Sequence, residues 1–281
     1  MPELPEVETV RLGLNQVTLN QPIDGGEVRL DRTIAYPFSV PDFLAGIQGA
    51  EIEEWHRRGK YLLAKLIKNS QAAGWLGVHL RMTGQLLWLH HTDPLQKHCR
   101  VRLWFPEGRE LRFVDQRTFG QIWFIPADKL PGQIMTGLAQ LGPEPFSPDF
   151  SLEYFTSKLR DRHRSIKTAL LDQALVAGIG NIYADEALFL SQIQPQTPCA
   201  QLKPSQIEKL HGAIQQVLQA AIDARGTTFS DFRDVAGING NYGGIAWVYD
   251  RKGEPCRICA TPIERLKLAG RSAHFCPTCQ T

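Results

Sequence analysis

Four cysteines near the C-terminus constrain this chain more than any other feature. Cys256-x-x-Cys259 and Cys276-x-x-Cys279 are separated by sixteen residues. That spacing lets two tight knuckles supply the corners of a tetrahedral zinc site while the intervening chain returns as a hairpin. Residues 248–281 are too few to build an apolar core, so the metal supplies the folding energy there. The two remaining cysteines, Cys99 and Cys199, stand alone, and this pattern in a reducing compartment favours metal over disulfides. One structural Zn2+ per chain, held by Cys256, Cys259, Cys276 and Cys279, is therefore expected. Arg271, in the Gly270-Arg271-Ser272 turn between the pairs, is placed to offer a guanidinium to phosphate, although an exposed turn arginine usually serves solubility alone.

The other end of the chain, Met1-Pro2-Glu3-Leu4-Pro5-Glu6, carries a different kind of chemistry. Removal of Met1 would leave Pro2 with a secondary amine that titrates near pH ~7.7–8.0 and is nucleophilic without a base beside it. Attack on an anomeric carbon gives a cationic iminium, an electron sink for later eliminations, with Glu3 next door as proton carrier. The plainer reading is a helix start, since Pro5 and Glu6 both suit a first turn.

A chain of 281 residues with 43% hydrophobic and 21% charged content has room for two globular domains. The absence of a long apolar run and of a signal-peptide pattern at the acidic N-terminus predicts a cytosolic protein without a membrane partner. The net charge of +2 names no polyanionic partner, but its distribution is uneven. Residues 157–167 carry five Lys or Arg against one Asp, and 250–281 carry six against three acids. Local basic surfaces of this kind suit phosphate contacts, though many are only solvated faces.

Leu4, Val7, Val10, Leu14 and Val17 recur at helical spacing. The period then changes. Tyr61 to Lys68, Trp75 to Met82, Val101 to Phe105 and Glu110 to Val114 read as short strands separated by turn residues, which predicts an antiparallel sandwich with a leading helix over 1–130. The Gly- and Pro-dense stretch 131–150 reads as a linker. Helical patterns follow at Leu152 to Leu159, Ile166 to Leu171, Ile182 to Leu190 and Gln206 to Ala224, so 151–226 is expected to be a helical domain. The Gly- and Asn-rich 227–247 reads as a long mobile loop, of a length uncommon without function. The fold class is thus α+β with two domains, closed by the zinc hairpin of 248–281.

Three further groups carry weaker signals. Gly178-Ile179-Gly180-Asn181 sits between short helices, where Asn181 can cap the second and free N–H groups can bind an anion; the upstream Arg160, Arg162, His163, Arg164 and Lys167 suggest a phosphate backbone. Lys60, in Arg57-Arg58-Gly59-Lys60-Tyr61, is a phosphate ligand or proton carrier, or blandly a turn lysine. Met82, Arg117 and Phe119 each stand near a strand end. Such Met and Phe residues are commonly core, and become a wedge only if nucleic acid is the partner.

Taken in order, MPELPEVET, RRGKYLL, HLRMTG, VDQRTFG, KTALLDQALVAGIGNIYADEAL and GRSAHFCPTCQ closely resemble the formamidopyrimidine-DNA glycosylase family along essentially the whole chain. The resemblance implies a β-sandwich, a helix-two-turns-helix element and a zinc finger that clamp damaged duplex DNA. It implies that Pro2 is the nucleophile, that Glu3 protonates the opening sugar ring, that Lys60 donates a proton in elimination and that Arg271 grips phosphate and assists the last elimination. Asn181 and Lys60 would hold the DNA backbone, with His98, Arg117, His163 and Lys167 among the contacts. Met82, Arg117 and Phe119 would fill the hole left by an everted nucleotide, and the loop after Thr227 would cover the flipped base. The expected activity is removal of 8-oxoguanine and formamidopyrimidines followed by β,δ-elimination, by a monomer acting on double-stranded DNA in the bacterial cytoplasm at the nucleoid.

The sequence departs from the commoner pattern at Gln116 and Thr118, where Pro and a second Arg are frequent, and at His163, where a basic DNA contact is usual. Two alternatives stay open at this level. One is an endonuclease VIII-like enzyme for oxidised pyrimidines, against which MPELPEVET argues. The other is a non-catalytic zinc-ribbon protein that binds damaged DNA.

Overall fold

The apolar spacing at the N-terminus produces helix α1 (Leu4–Val17), whose Leu4, Val7, Val10 and Leu14 are wholly buried. Burial of that many aliphatic side chains stabilises the helix by roughly 1.5–3 kcal/mol each, and Pro5 stands in the first turn, where its missing N–H costs nothing. The computed structural model describes residues 1–227 and 233–281. It divides them into two compact units, Met1–Ala139 with Arg225–Asn241, and Gln140–Ala224 with Tyr242–Thr281.

Among its described residues the first unit holds nine strands and three further α-helices: β1 (Gly25–Val28), β2 (Ile34–Tyr36), α2 (Val40–Ile47), β3 (Glu51–Arg58), β4 (Tyr61–Lys68), β5 (Gln71–His79), β6 (Gln85–His90), β7 (Cys99–Phe105), β8 (Arg109–Val114), β9 (Gln121–Ile125), α3 (Pro131–Ile134) and α4 (Thr136–Ala139). One sheet runs β2-β9-β5-β4-β3 and the other β1-β7-β8-β6. Trp55, Leu62, Leu76 and Val78 from the first meet Leu86, Val101, Leu103, Leu111 and Phe113 from the second in one apolar core. This is the sandwich expected from the strand pattern, with one correction: β2 pairs with β9 in parallel. Helix α1 packs on β3 and β4. It is fastened there by Asn15, whose amide donates to the Trp55 carbonyl at 3.1 Å and accepts its N–H at 2.8 Å, and by Thr18, which accepts the Trp55 indole N–H at 2.9 Å.

The stretch expected to be a structureless linker from 131 carries α3 and α4, and the division between units falls at Ala139 and Gln140. The stretch expected to be one loop over 227–247 is divided too. Its described part up to Asn241 belongs to the first unit, where Val235 is buried in the sandwich core and its carbonyl accepts the Trp88 N–H at 2.9 Å. Residues 228–232 of that expected loop lie outside the described residues.

The second unit contains α5 (Leu152–Leu159), α6 (Ile166–Leu170), α7 (Asn181–Leu190), α8 (Pro204–Asp223) and the antiparallel hairpin β10 (Glu264–Leu268) and β11 (Arg271–Phe275). Helices α5 and α7 pack against α8, and α7 also packs against β11. Glu186 of α7 is fully buried, and its carboxylate accepts the N–H groups of Trp247, Val248 and Tyr249 at 2.8–2.9 Å and the Tyr242 hydroxyl at 3.2 Å. Burial pushes its carboxyl above the ordinary value despite those donors. Four donors on one carboxylate hold the chain leading into the hairpin against α7. Among the described residues no helix is long and apolar enough to cross a membrane.

Candidate active site and nucleic-acid contacts

In the first unit, Pro2 and Glu3 are both buried at the head of α1. Glu3 forms the N-cap of that helix, and its N–H donates to Glu6 Oε2 at 2.7 Å. The residue that follows the prospective nucleophile is therefore fixed by the helix itself, and the helix by the core.

Lys60 sits in a two-residue turn between β3 and β4, which pair Arg58 with Tyr61. Gly59 takes φ +54° there, a left-handed conformation that suits a glycine at the first central position of a tight hairpin. Lys60 is only 7% exposed. Arg57 donates to the Gly59 carbonyl at 3.1 Å and pairs with Glu8 of α1 at 2.9 Å. Glu8 also pairs with Arg11 at 2.6 Å. Burial works to raise the Glu8 carboxyl, but Arg11 and Arg57 outweigh it and hold it below the ordinary value. This ion pair ties the turn of Lys60 to the helix that carries Pro2 and Glu3. Nearby, buried His79 is pushed down to about 3, by burial first and then by the charges of Arg81 and Lys60, so it is neutral at physiological pH. Its Nδ1 accepts the Arg81 N–H at 3.0 Å, which leaves the proton on Nε2.

Met82, Arg117 and Phe119 lie on two turns of the same unit, one before β6 and one between β8 and β9. Phe119 is 53% exposed, and the Arg117 guanidinium lies 5.2 Å from its ring centre. These are not core residues. The exposed aromatic thus lies under a guanidinium at cation–π distance. His98, half-buried, faces Arg100, whose Nη2 lies 3.2 Å from His98 Nδ1.

In the second unit, Asn181 is the first residue of α7, and Gly180 is the N-cap, which corrects the expectation that Asn181 caps the helix. Its side chain turns instead to the zinc hairpin, where Nδ2 lies 3.3 Å from Ser272 Oγ, and Oδ1 is buried with no hydrogen-bond partner among the described residues. Lys167 is also corrected. Expected on a phosphate-facing surface, it is buried, and its ammonium lies 2.5 Å from Asp185 Oδ1 and 2.5 Å from the Ser272 carbonyl. A buried ammonium so far from water must be paired, and Lys167 spends its charge positioning β11. Asp185 Oδ2 accepts the His274 N–H at 2.9 Å in the same cluster.

His163 is exposed. The neighbouring Arg162 and Arg164 both pair with Asp172, at 3.4 and 2.5 Å, which spends part of the positive charge read from the sequence. Burial raises the Asp172 carboxyl, yet the Arg164 and Ala174 hydrogen bonds and both guanidinia hold it below the ordinary value.

Arg271 is exposed at the start of β11. The turn before it is Ala269-Gly270, with φ of +45° and +80°, the double left-handed pattern of a tight type I′ hairpin. Cys256, Cys259, Cys276 and Cys279 bring their Sγ atoms within 4.8 Å of one another. Cys259 lies 3.4 Å from Cys276 and from Cys279, and Cys256 lies 3.8 Å from Cys279. A thiolate tetrahedron at Zn–S ~2.3 Å needs edges of about 3.8 Å, so the four residues fit the ion. The N–H groups of Ile258 and Cys279 point at Cys256 Sγ and Cys276 Sγ, each at 3.4 Å, as knuckle backbones do for a bound thiolate.

Comparison with known proteins agrees along the whole chain. Family models match at residues 1–122 (Formamidopyrimidine-DNA glycosylase N-terminal domain), 141–233 (Formamidopyrimidine-DNA glycosylase H2TH domain) and 253–281 (Zinc finger found in FPG and IleRS). A formamidopyrimidine-DNA glycosylase of Nostoc punctiforme is 65% identical over 281 residues, covering 100% of this chain and 96% of that relative. One from Acaryochloris marina is 62% identical, covering 100% and 99%. Among solved structures, the Fpg of Lactococcus lactis in complex with DNA containing an abasic site superposes with a TM-score of 0.90 at 36% identity, covering 99% of each chain. The MutM (Fpg) protein of Thermus thermophilus gives 0.88 at 38%, covering 99% of this chain and 98% of that one.

Proposed function

This chain belongs to the formamidopyrimidine-DNA glycosylase family, and from that premise we propose how its residues divide the reaction. The protein is a base-excision-repair DNA glycosylase for oxidised purines with abasic-site lyase activity, it acts on DNA with damaged bases, and it carries one structural zinc. The roles of individual residues are our own reading.

Pro2, once its nitrogen is freed by loss of Met1, attacks C1′ of the damaged nucleotide. The C1′–N bond breaks and the base leaves with its electron pair. Glu3 protonates O4′ as the sugar ring opens, giving the iminium between Pro2 and C1′. That cation acidifies C2′, the 3′ phosphate leaves by β-elimination, and the 5′ phosphate follows by δ-elimination. Lys60, nearly enclosed in its turn, serves as proton donor and backbone ligand, and Arg271 serves the second phosphate. Zinc holds the hairpin that presents Arg271. Asn181 serves a phosphate as well: exchanging its amide oxygen and nitrogen satisfies Ser272 equally and makes a donor of the atom that has no partner. His98, Arg117 and exposed His163 add contacts, and Met82, Arg117 and Phe119 occupy the space of the everted nucleotide. Residues 227–247 serve recognition of the flipped base. We place the enzyme in the bacterial cytoplasm, at the nucleoid.

The observation that carries this reading is the pairing of a buried Pro2-Glu3 terminus with the Lys60 turn through Glu8 and Arg57 in one compact unit. Borohydride trapping on an 8-oxoguanine duplex tests it. A covalent adduct mapping to Pro2 is expected, and a form that keeps Met1 should give none. An adduct at another residue, or an equal yield with Met1 retained, refutes it.

A further inference from the structure

We propose that Asp115 is the positioning residue of the wedge: a buried carboxylate that buckles together the two turns carrying Met82, Arg117 and Phe119. The proposal rests on the reading of those three side chains as the wedge. Asp115 follows β8 and is 1% exposed. Its Oδ1 accepts the Thr83 hydroxyl at 2.5 Å, and its Oδ2 accepts the Gly120 N–H at 2.8 Å. The Thr83 oxygen in turn accepts the Arg117 N–H at 3.0 Å. Thr83 is the residue after Met82 and Gly120 the residue after Phe119, so one carboxylate holds the side chain beside Met82 and the backbone beside Phe119. The main chain of Asp115 extends the buckle: its N–H donates to the His98 carbonyl at 2.9 Å, and its carbonyl accepts Arg100 Nε at 2.8 Å.

The surroundings leave this arrangement little freedom. A Cβ on Gly120 would overlap the Phe113 ring and approach Asp115 Oδ2 to 3.0 Å, and one on Gly84 would lie 2.5 Å from the Leu80 carbonyl. Thr118, between the two wedge residues of the second turn, has φ +57°, a conformation a β-branched residue holds only when its neighbours impose it. Arg32 hydrogen-bonds its hydroxyl. A side chain that must replace a base inside a stack is pushed back by the duplex, and exposed Phe119 has little packing of its own to resist. The buckle supplies that resistance.

A carboxylate only accepts, so the direction of every bond in the relay is set: Arg117 N–H to Thr83, Thr83 O–H to Asp115, Gly120 N–H to Asp115. In Asp115→Asn the amide oxygen keeps the Gly120 N–H while the NH2 faces the Thr83 hydroxyl, which has to reverse into an acceptor, so the relay loses its charged acceptor. In Thr83→Val the relay ends.

The test uses full-length, zinc-loaded protein and compares single-turnover excision of 8-oxoguanine from a duplex with cutting at a preformed abasic site, where there is no base to unstack. Asp115→Asn and Thr83→Val are expected to slow excision about tenfold or more and abasic cutting by no more than about threefold, the size of a lost hydrogen bond to a charged group. Thr83→Ser, which keeps the hydroxyl, should restore excision. Asp115→Asn should add less than about twofold to the defect of Phe119→Ala, because both act through one element. Unaltered excision by Asp115→Asn alongside an impaired Phe119→Ala overturns the buckle and spares the wedge. An unimpaired Phe119→Ala overturns the wedge reading, and the buckle with it. Equal losses on both substrates, or no rescue by Thr83→Ser, reduce Asp115 to a structural residue and also overturn the proposal.

Discussion

Glu6 Oε1 accepts the N–H of Thr227 at 2.8 Å across 221 residues of sequence, while its Oε2 accepts the N–H of Glu3 at 2.7 Å. One carboxylate, 1% exposed, thereby joins the head of α1 to the segment that returns to the first unit after α8. Gly226 makes room for it: its φ is +77°, and a Cβ there would stand 3.0 Å from the Glu6 side chain. Removing Glu6 as Glu6→Ala leaves two buried N–H groups without their acceptor, at about 1–3 kcal/mol each. Urea unfolding should report a loss of about 2–6 kcal/mol on that basis, and borohydride trapping should slow. A variant within about 0.5 kcal/mol of the parent, the range of ordinary surface changes, would contradict this account.

His79 sets the acid sensitivity of the first unit. Its folded value is depressed to about 3, while the unfolded chain binds a proton near pH ~6.5. Above that value there is no effect. As pH falls below it, the unfolded state alone takes up the proton and stability declines, with a slope approaching about 1.4 kcal/mol per pH unit. Denaturation midpoints at pH 7.5 and 5 should separate accordingly, and His79→Phe should narrow the gap. An imidazole titration between pH 5 and 8 assigned to His79 by NMR would refute the neutral assignment.

Glu110 acts in the same direction at lower pH. It lies between Arg102 and Arg112, the latter pair at 2.7 Å, and is 1% exposed. Burial raises its carboxyl, but the two arginines prevail and hold it below the ordinary value. A carboxylate lowered in the folded state contributes stability that is present above its unfolded value and lost as pH falls through the folded one. Glu110→Gln should therefore unfold more easily at pH 7 and flatten the acid limb below about pH 4.3. A parallel shift of the whole curve would argue that the charge is irrelevant.

Metal removal separates binding from fold. The buried apolar cluster around the cysteines holds Phe189, Val248 and Ile263 besides Cys256 and Cys276, with Leu190 and Trp247 half-buried against it, too little to hold β10 and β11 without zinc. Chelation should release one zinc per chain and weaken DNA binding, while the far-ultraviolet signal of the first unit persists. Arg271→Ala should retain the zinc and slow strand cutting by about 10-fold or more, as loss of a charge-assisted contact would. Full cutting by Arg271→Ala would remove its assigned role.

What could be read from the sequence follows from period and spacing. Helix α1 and strand β7 were legible because their apolar residues keep one rhythm, and β4 and β8 because they are short runs rich in aliphatic and aromatic residues. Strand β3 was not, since a bulge between Ile52 and Glu54 breaks the alternation, and β5 begins four residues ahead of Trp75 in an Ala- and Gly-rich stretch with little strand character. The cysteine quartet, Pro2, Lys60 and Arg271 stood out through their chemistry and the family likeness. Long-range partners stayed hidden. Nothing in the basic run around Lys167 reveals Asp185, and nothing in VDQRTFG tells that Asp115 meets Thr83.

The two-residue turn at Gly59 and Lys60 has a consequence for variation in length. Strand β4 leaves that turn with Leu62, Ala64 and Leu66 directed into the sandwich. A single inserted residue would turn the strand over, send those three side chains to the opposite face and unseat Lys60 at once. Replacement of the lysine costs chemistry alone, whereas an insertion beside it scrambles the architecture, so indels here should be rarer than substitutions in any library that selects for folded protein.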